Sequence, residues 1–108
     1  MAFQKVCATS DVDEGESLRV ENPQGAIAIH HWEGQFYATQ DRCTHDEWSL
    51  SDGYLEDGMI ECTLHWAKFC VQTGKVKAPP ACQALKVYPV RVNGDDVEVD
   101  VDAGHYSE

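Results

Sequence analysis

Basic side chains are scarce in this sequence. It has 8 Lys and Arg against 19 Asp and Glu in 108 residues, which gives a formal net charge of −11. Nucleic acids and anionic membranes are polyanions, and an acidic surface disfavours both of them as partners. We therefore expect no nucleic-acid partner and no membrane partner, and a basic protein surface is the better match.

Long apolar runs and cofactor fingerprints are also missing. No stretch approaches the roughly 20 apolar residues of a membrane span, and residues 1–5 do not begin a secretion signal, so the expected location is the cytoplasm. The sequence has no Gly-rich dinucleotide fingerprint. It also has no convincing set of two His and one carboxylate for a mononuclear oxygenase iron. We expect a protein that is not itself an enzyme.

Helical periodicity is absent, because no stretch of ten or more residues keeps it without a Gly or Pro. Short runs of β-branched and aromatic residues recur between turn signals, which predicts an all-β chain. The predicted hairpin turns are Glu33-Gly34 and residues 93–96. The predicted strands are residues 3–7, 18–20, 26–32, 36–39, 85–92 and 97–101.

The composition changes between residues 40 and 81, where Cys, His, Trp, Gly and Pro become frequent. About 40 residues seldom fold alone without a metal or disulfides, so this part is interpreted as an insertion and not as a second domain. The whole chain, residues 1–108, is then a single domain. It consists of a β base (residues 1–40 and 82–103), an insertion that carries the chemistry (residues 41–81) and a frayed tail (residues 104–108).

Five cysteines occur, an odd number without a secretion signal, which favours a metal site over a disulfide framework. Two pairs stand out, Cys43-Thr44-His45 and Cys62-Thr63-Leu64-His65, with the pattern C-x-H-x16-C-x2-H. Each arm supplies one thiol and one imidazole. The familiar zinc finger instead places both thiols on one arm and both imidazoles on the other.

Mixed arms suit a binuclear iron–sulfur cluster, in which two thiolates bind one iron and two neutral imidazoles bind the other. The candidate ligands are Cys43, His45, Cys62 and His65, and a tetrahedral zinc site is the alternative.

The remaining cysteines and histidines are interpreted as structural. Cys7 and Cys70 lie in apolar runs and are expected in the core, and Cys82 is not expected to bind metal. His30 and His31 are adjacent in a predicted strand, so their side chains point to opposite faces and cannot form one clamp. Both are expected to be surface or partly buried structural histidines.

Both pairs, together with residues 48–53, residues 73–75 and Pro79-Pro80, resemble the Rieske-type ferredoxins of bacterial aromatic-ring-hydroxylating dioxygenases, such as the toluene, benzene and biphenyl systems. The resemblance covers nearly the whole chain. It implies a Rieske fold of antiparallel β-sheets that form a base, with one 2Fe-2S cluster in an inserted subdomain. Cys43 and Cys62 would bind the inner iron, His45 and His65 the outer one, and Pro79-Pro80 would belong to a loop that covers the cluster.

The same resemblance implies a soluble, monomeric one-electron carrier. Its electrons would come from a flavin-containing (FAD), NADH-dependent ferredoxin reductase and go to the Rieske centre of a terminal aromatic-ring dioxygenase. Two alternatives stay open. One is a redox subunit held tightly in another oxidoreductase, as in small nitrite-reductase subunits, and the other is a zinc-stabilised interaction module.

Departures from respiratory Rieske proteins imply a low reduction potential. Those proteins carry a disulfide whose cysteines match Trp48 and Leu64 here, and hydroxyl donors whose positions match Ala67 and Phe69. Fewer donors to the cluster stabilise its reduced state less, so we expect the lower part of the Rieske range, near about −150 mV.

Overall fold

Antiparallel strands make up almost all of the regular structure. The structure is a computed structural model, and it describes residues 3–23, 25–42, 49–61, 68–78 and 85–106. Two short 3₁₀ helices lie in these ranges, at Thr9–Asp11 and Leu50–Asp52. The strands are β1 Gln4–Ala8, β2 Ser17–Val20, β3 Ile27–Trp32, β4 Gln35–Gln40, β5 Tyr54–Glu56, β6 Met59–Glu61, β7 Lys68–Cys70, β8 Val76–Ala78, β9 Lys86–Tyr88, β10 Val90–Asn93, β11 Asp96–Val99 and β12 His105–Tyr106.

The strands form three sheets, with orders β1-β11-β10, β12-β9-β4-β3-β2 and β5-β6-β7-β8. The alternation of apolar and acidic residues explains the packing of β11, where Val97 and Val99 are fully buried while Asp96 and Glu98 are partly exposed. All four strands of the third sheet come from residues 54–78, inside the predicted insertion. The prediction of an all-β fold of antiparallel sheets is confirmed.

Both predicted hairpin turns are confirmed. β3 and β4 are joined through Glu33 and Gly34, whose φ angles of 51° and 76° are the pair of positive values that a tight two-residue hairpin requires. The turn between β10 and β11 places Gly94 at φ 65°, and Asn93 pairs with Asp96.

The predicted strand 85–92 is wrong in one respect, because Pro89 divides it in two. β9, before Pro89, pairs with β4 and β12, whereas β10, after it, pairs with β11 in a different sheet. Proline has no N–H to donate to a ladder, so it marks the point where the chain leaves one sheet for the other.

The predicted frayed tail is also wrong for two of its residues. His105 pairs with Val87, and Tyr106 pairs with Lys86, so β12 covers the edge of β9. An uncovered edge would leave backbone donors and acceptors unpaired. Gly104 permits the approach, since a Cβ there would lie 2.7 Å from the Tyr88 ring.

Among the described residues, apolar side chains form two separate buried clusters. The base core lies between the first two sheets and contains residues from both, among them Ile27, Ile29, Val97 and Val99. A second, smaller core lies in the part of the chain that contains the third sheet. Among the described residues, no helix has the length and apolar character needed to cross a membrane.

Candidate functional site

The four predicted ligands lie outside the described residues. Cys43 and His45 fall in segment 43–48, and Cys62 and His65 fall in segment 62–67. Pro79-Pro80 falls in segment 79–84, as does Cys82. The structure does describe residues on either side of each segment. We call residues 41–42 and 49–51, around segment 43–48, the first frame, and Glu61 and Lys68, around segment 62–67, the second frame.

The first frame is closed by an isolated antiparallel bridge between Arg42 and Ser49. Beside the bridge, the Leu50 N–H donates to the carbonyl oxygen of Asp41 over 2.6 Å. Asp41 is itself tied to the base, since its N–H donates to the Ala26 carbonyl over 3.0 Å. The chain therefore leaves and returns at one point, with six residues between.

The second frame is closed by the antiparallel pair β6 and β7. Glu61 and Lys68 are its last paired residues, and Ile60 pairs with Phe69 one step further from the segment. The Lys68 ammonium lies 3.8 Å from the Glu61 carboxylate. This frame also spans six residues.

One hydrophobic cluster, which we call the frame core, contains described residues that lie near all three segments in the chain. Its buried members are Leu50, Ile60, Phe69, Val71 and Leu85. The Leu85 N–H donates to the Gly74 carbonyl over 2.7 Å, which fixes the first described residue after residue 84. One packed cluster therefore holds together Leu50, the strands β6 and β7, and Leu85.

The two frames also meet through backbone. Gly53 follows the 3₁₀ helix that begins at Leu50, and a Cβ built on Gly53 would overlap the carbonyl oxygen of Glu61. Glu61 is the last residue before segment 62–67. Only glycine allows this approach without displacement, so residue 53 sets how closely the first frame lies against the second.

Sequence reasoning missed Asp41, which holds the first frame closed. Its side chain is buried, with 2% of the residue exposed, and both carboxylate oxygens accept hydrogen bonds from beyond the segment. The Ser51 N–H donates to Oδ1 over 2.9 Å, and the Ser49 hydroxyl donates to Oδ2. The only hint in the sequence is an acid placed directly after a strand.

Three glutamates line a groove beside the second frame. The groove has a volume of about 440 Å³, and its lining includes Glu16, Glu56, Glu61 and Tyr54. Tyr54 is 67% exposed and pairs with Glu61 across β5 and β6. Part of the acidic excess of the chain therefore lies beside the second frame.

The contacts of His30 and His31 confirm that both are structural, but the expectation of a surface or partly buried position is wrong for His30. His30 is fully buried, with Nδ1 2.7 Å from the Ser17 hydroxyl and Nε2 2.9 Å from the Thr39 hydroxyl. Burial lowers the pKa of His30 to about 4, against the opposing effect of the Asp41 carboxylate. His31 stacks on the Phe36 ring at a centroid distance of 4.1 Å.

The cysteine predictions are confirmed only in part. Cys7 is buried in the base core, and its burial raises the pKa of the thiol to about 11, which keeps it protonated and unreactive. Cys70, in β7, is only half-buried, so the expectation of a core residue is wrong there. It is the last residue of the three-residue strand β7, in which only the central Phe69 is fully buried. Within the described ranges, no group of three or more His, Cys, Asp or Glu is placed to hold a metal.

Comparison with known proteins identifies the kind of domain. The family described as the Rieske 2Fe-2S domain matches residues 2–89. The ferredoxin component of biphenyl 2,3-dioxygenase from Rhodococcus jostii is 53% identical over 104 residues, which cover 96% of this chain and 97% of that one. The biphenyl dioxygenase ferredoxin subunit of a Pseudomonas species is 54% identical over 101 residues, 93% of each chain.

A solved structure agrees with the sequence relatives. The complex of reduced oxygenase and oxidised ferredoxin in carbazole 1,9a-dioxygenase contains a chain that superposes with a TM-score of 0.85 at 36% identity. The superposition covers 98% of this chain and 95% of that one. The likeness therefore extends over the whole fold.

Proposed function

Because this chain belongs to the Rieske 2Fe-2S domain family, as a ferredoxin of the dioxygenase type, we propose that it is a one-electron carrier and not an enzyme. It delivers electrons to the Rieske centre of a terminal aromatic-ring-hydroxylating dioxygenase. Its own electrons come from a flavin-containing, NADH-dependent ferredoxin reductase. The observation that carries this proposal is 53% identity to a dioxygenase ferredoxin over nearly the whole chain. It is supported by two frames that each enclose a six-residue segment and that lie beside one shared core.

The proposed ligands of one Rieske cluster are Cys43 and Cys62 on one iron, and His45 and His65 on the other. The donor set supports this, since two thiolates and two imidazoles suit the Rieske type of 2Fe-2S centre. When bound, such a cluster takes up and releases one electron. The closed frames support it too, because each would present one Cys and one His from a short segment whose ends are fixed.

The proposed partners follow from the relatives and from charge. Two relatives are named as ferredoxin parts of biphenyl dioxygenases, and one structural neighbour is solved in complex with an oxygenase. A net charge of −11 favours encounter with a basic protein face, because long-range attraction raises association rates while still permitting rapid release. We place this carrier in the cytoplasm, as a monomer.

The domain division is part of the proposal. The third sheet, whose strands all come from residues 54–78, supports an insertion of residues 41–81 on a base of residues 1–40 and 82–103. The insertion contributes all four proposed ligands. Two backbone hydrogen bonds join the insertion to the base, one from the Asp41 N–H to the Ala26 carbonyl and one from the Leu85 N–H to the Gly74 carbonyl.

Metal analysis and a reconstituted electron-transfer chain test the proposal. The purified chain should contain two irons and two acid-labile sulfides per molecule. It should reduce a terminal dioxygenase when NADH and a ferredoxin reductase are supplied, and it should elute alone on gel filtration. Zinc in place of iron would favour the alternative of a zinc-stabilised interaction module. Co-elution with another oxidoreductase from the native host would establish a fixed subunit, and either result would overturn the shuttle.

A further inference from the structure

We infer that Asp41 is the positioning residue of the first ligand segment, and that its carboxylate controls how firmly the cluster is retained. This inference rests on the proposed function, since it concerns the same site. It adds a residue outside the proposed ligand set, which acts by holding residues 49–51 beside residue 41, on the two sides of segment 43–48.

Asp41 contacts both the base and the residues that follow segment 43–48. Its backbone N–H is fixed to the base through Ala26, and its carbonyl accepts the Leu50 N–H. Its two carboxylate oxygens accept from Ser51 and Ser49, on the far side of the segment. One residue thus binds the base on one side and three consecutive residues after the segment on the other.

Burial makes these bonds costly to lose. With 2% of Asp41 exposed, water cannot replace a missing donor. The Arg19 guanidinium, at 3.8 Å from Oδ2, is the nearby cation, but Arg19 also pairs with Glu21 at 2.8 Å. The carboxylate therefore depends mainly on the two serines, and removing it leaves their donors without the acceptor that orders them.

The geometry also predicts which substitution is tolerated. An amide in Asp41→Asn can keep its oxygen on the Ser51 N–H and donate from its nitrogen to the Ser49 hydroxyl oxygen. Ser49 can reverse its own donation toward Ser51, whose hydroxyl oxygen lies 2.8 Å away. The asparagine variant should thus keep Ser49 and Ser51 bonded to the side chain of residue 41, whereas Asp41→Ala loses both of these bonds.

The test measures iron release from the holoprotein to a chelator, together with the electron paramagnetic resonance spectrum of the reduced cluster. Asp41→Ala should release iron about 10-fold faster than wild type, the rate equivalent of one to two buried hydrogen bonds, and should broaden the spectrum. Asp41→Asn should stay within about threefold and keep the wild-type line shape. If Asp41→Ala fails to fold, Ser49→Ala removes one donor alone and should release iron about threefold faster.

The matched control is Asp100→Ala. Asp100 is equally buried, at 2% exposed, and accepts the Asp102 N–H over 3.1 Å in a turn after β11 that flanks no ligand segment. It should lower stability and leave iron release and the spectrum unchanged. Wild-type behaviour of Asp41→Ala, or of Ser49→Ala where Asp41→Ala does not fold, would overturn the inference. The inference would also be overturned if Asp100→Ala or Asp41→Asn released iron as fast as Asp41→Ala. A wild-type protein without iron would instead overturn the proposed function.

Discussion

Gly53 lies so close to the carbonyl oxygen of Glu61 that no side chain can be added at residue 53 without moving one of the two frames. Gly53→Ala should therefore lower the free energy of unfolding by about 1–3 kcal/mol, the usual cost of overpacking. Denaturant unfolding of the holoprotein measures it. Asp52→Ala, at the exposed residue next to it, should change the stability by no more than about 0.5 kcal/mol, and equal effects of the two substitutions would contradict the close contact.

Removing the iron should loosen the frame core and spare the base. The frame core is a small cluster that includes Ile60 and Phe69 of the third sheet, whereas the base has its own larger core. After chelation, we expect amide hydrogen exchange to accelerate in β5, β6 and β7, while β3 and β11 keep their protection. Hydrogen-exchange mass spectrometry of both forms checks this. Uniform acceleration in both parts would show that the two cores unfold together.

His30 should make the protein less stable in acid. Its pKa is about 4 in the folded state and about 6.5 when unfolded, so the unfolded chain binds more protons between these values. Stability should fall by about 3 kcal/mol as the pH drops from 6.5 to 4, and this contribution should level off below the folded pKa.

The measurement for His30 is the difference in unfolding free energy between wild type and His30→Gln across that pH range. The glutamine does not titrate and can still bond to Ser17 and Thr39. The pH slope should be weaker in the variant, whereas His105→Gln, at an exposed residue of β12, should keep the wild-type slope. Identical slopes in wild type and His30→Gln would show that the buried ring does not carry the effect.

Salt should slow the encounter with the terminal dioxygenase. Screening of the −11 charge should reduce the association rate constant as ionic strength rises from about 20 mM to about 200 mM. Stopped-flow electron transfer measures this. Glu56→Gln, in the acidic groove, should weaken the salt dependence more than Asp95→Asn, in the exposed β10–β11 turn. A rate independent of salt would remove electrostatic steering from the account.

Local patterns predicted the strands of the base but not those of the third sheet. Alternating residues in β11 and the Glu33-Gly34 turn are local features, and the structure confirms both. The four strands β5 to β8 are only three residues long, too short to show an alternating pattern, and they were not predicted. The division at Pro89 and the strand β12 were not predicted either, because sheet membership depends on distant partners.

The proposed ligands could be named from spacing alone, since two mixed Cys and His arms are a specific pattern. Asp41 could not be predicted in this way. Its role arises only when Ser49 and Ser51 return beside it, and that return is a property of the folded frame.

The most direct test of the central claim is pulsed electron paramagnetic resonance of the reduced protein, grown with ¹⁵N-labelled histidine. The account predicts two strongly coupled imidazole nitrogens, one of which should be lost or altered in each of His45→Cys and His65→Cys. A reduced protein without a paramagnetic centre, or one with no coupled histidine nitrogen, would contradict it.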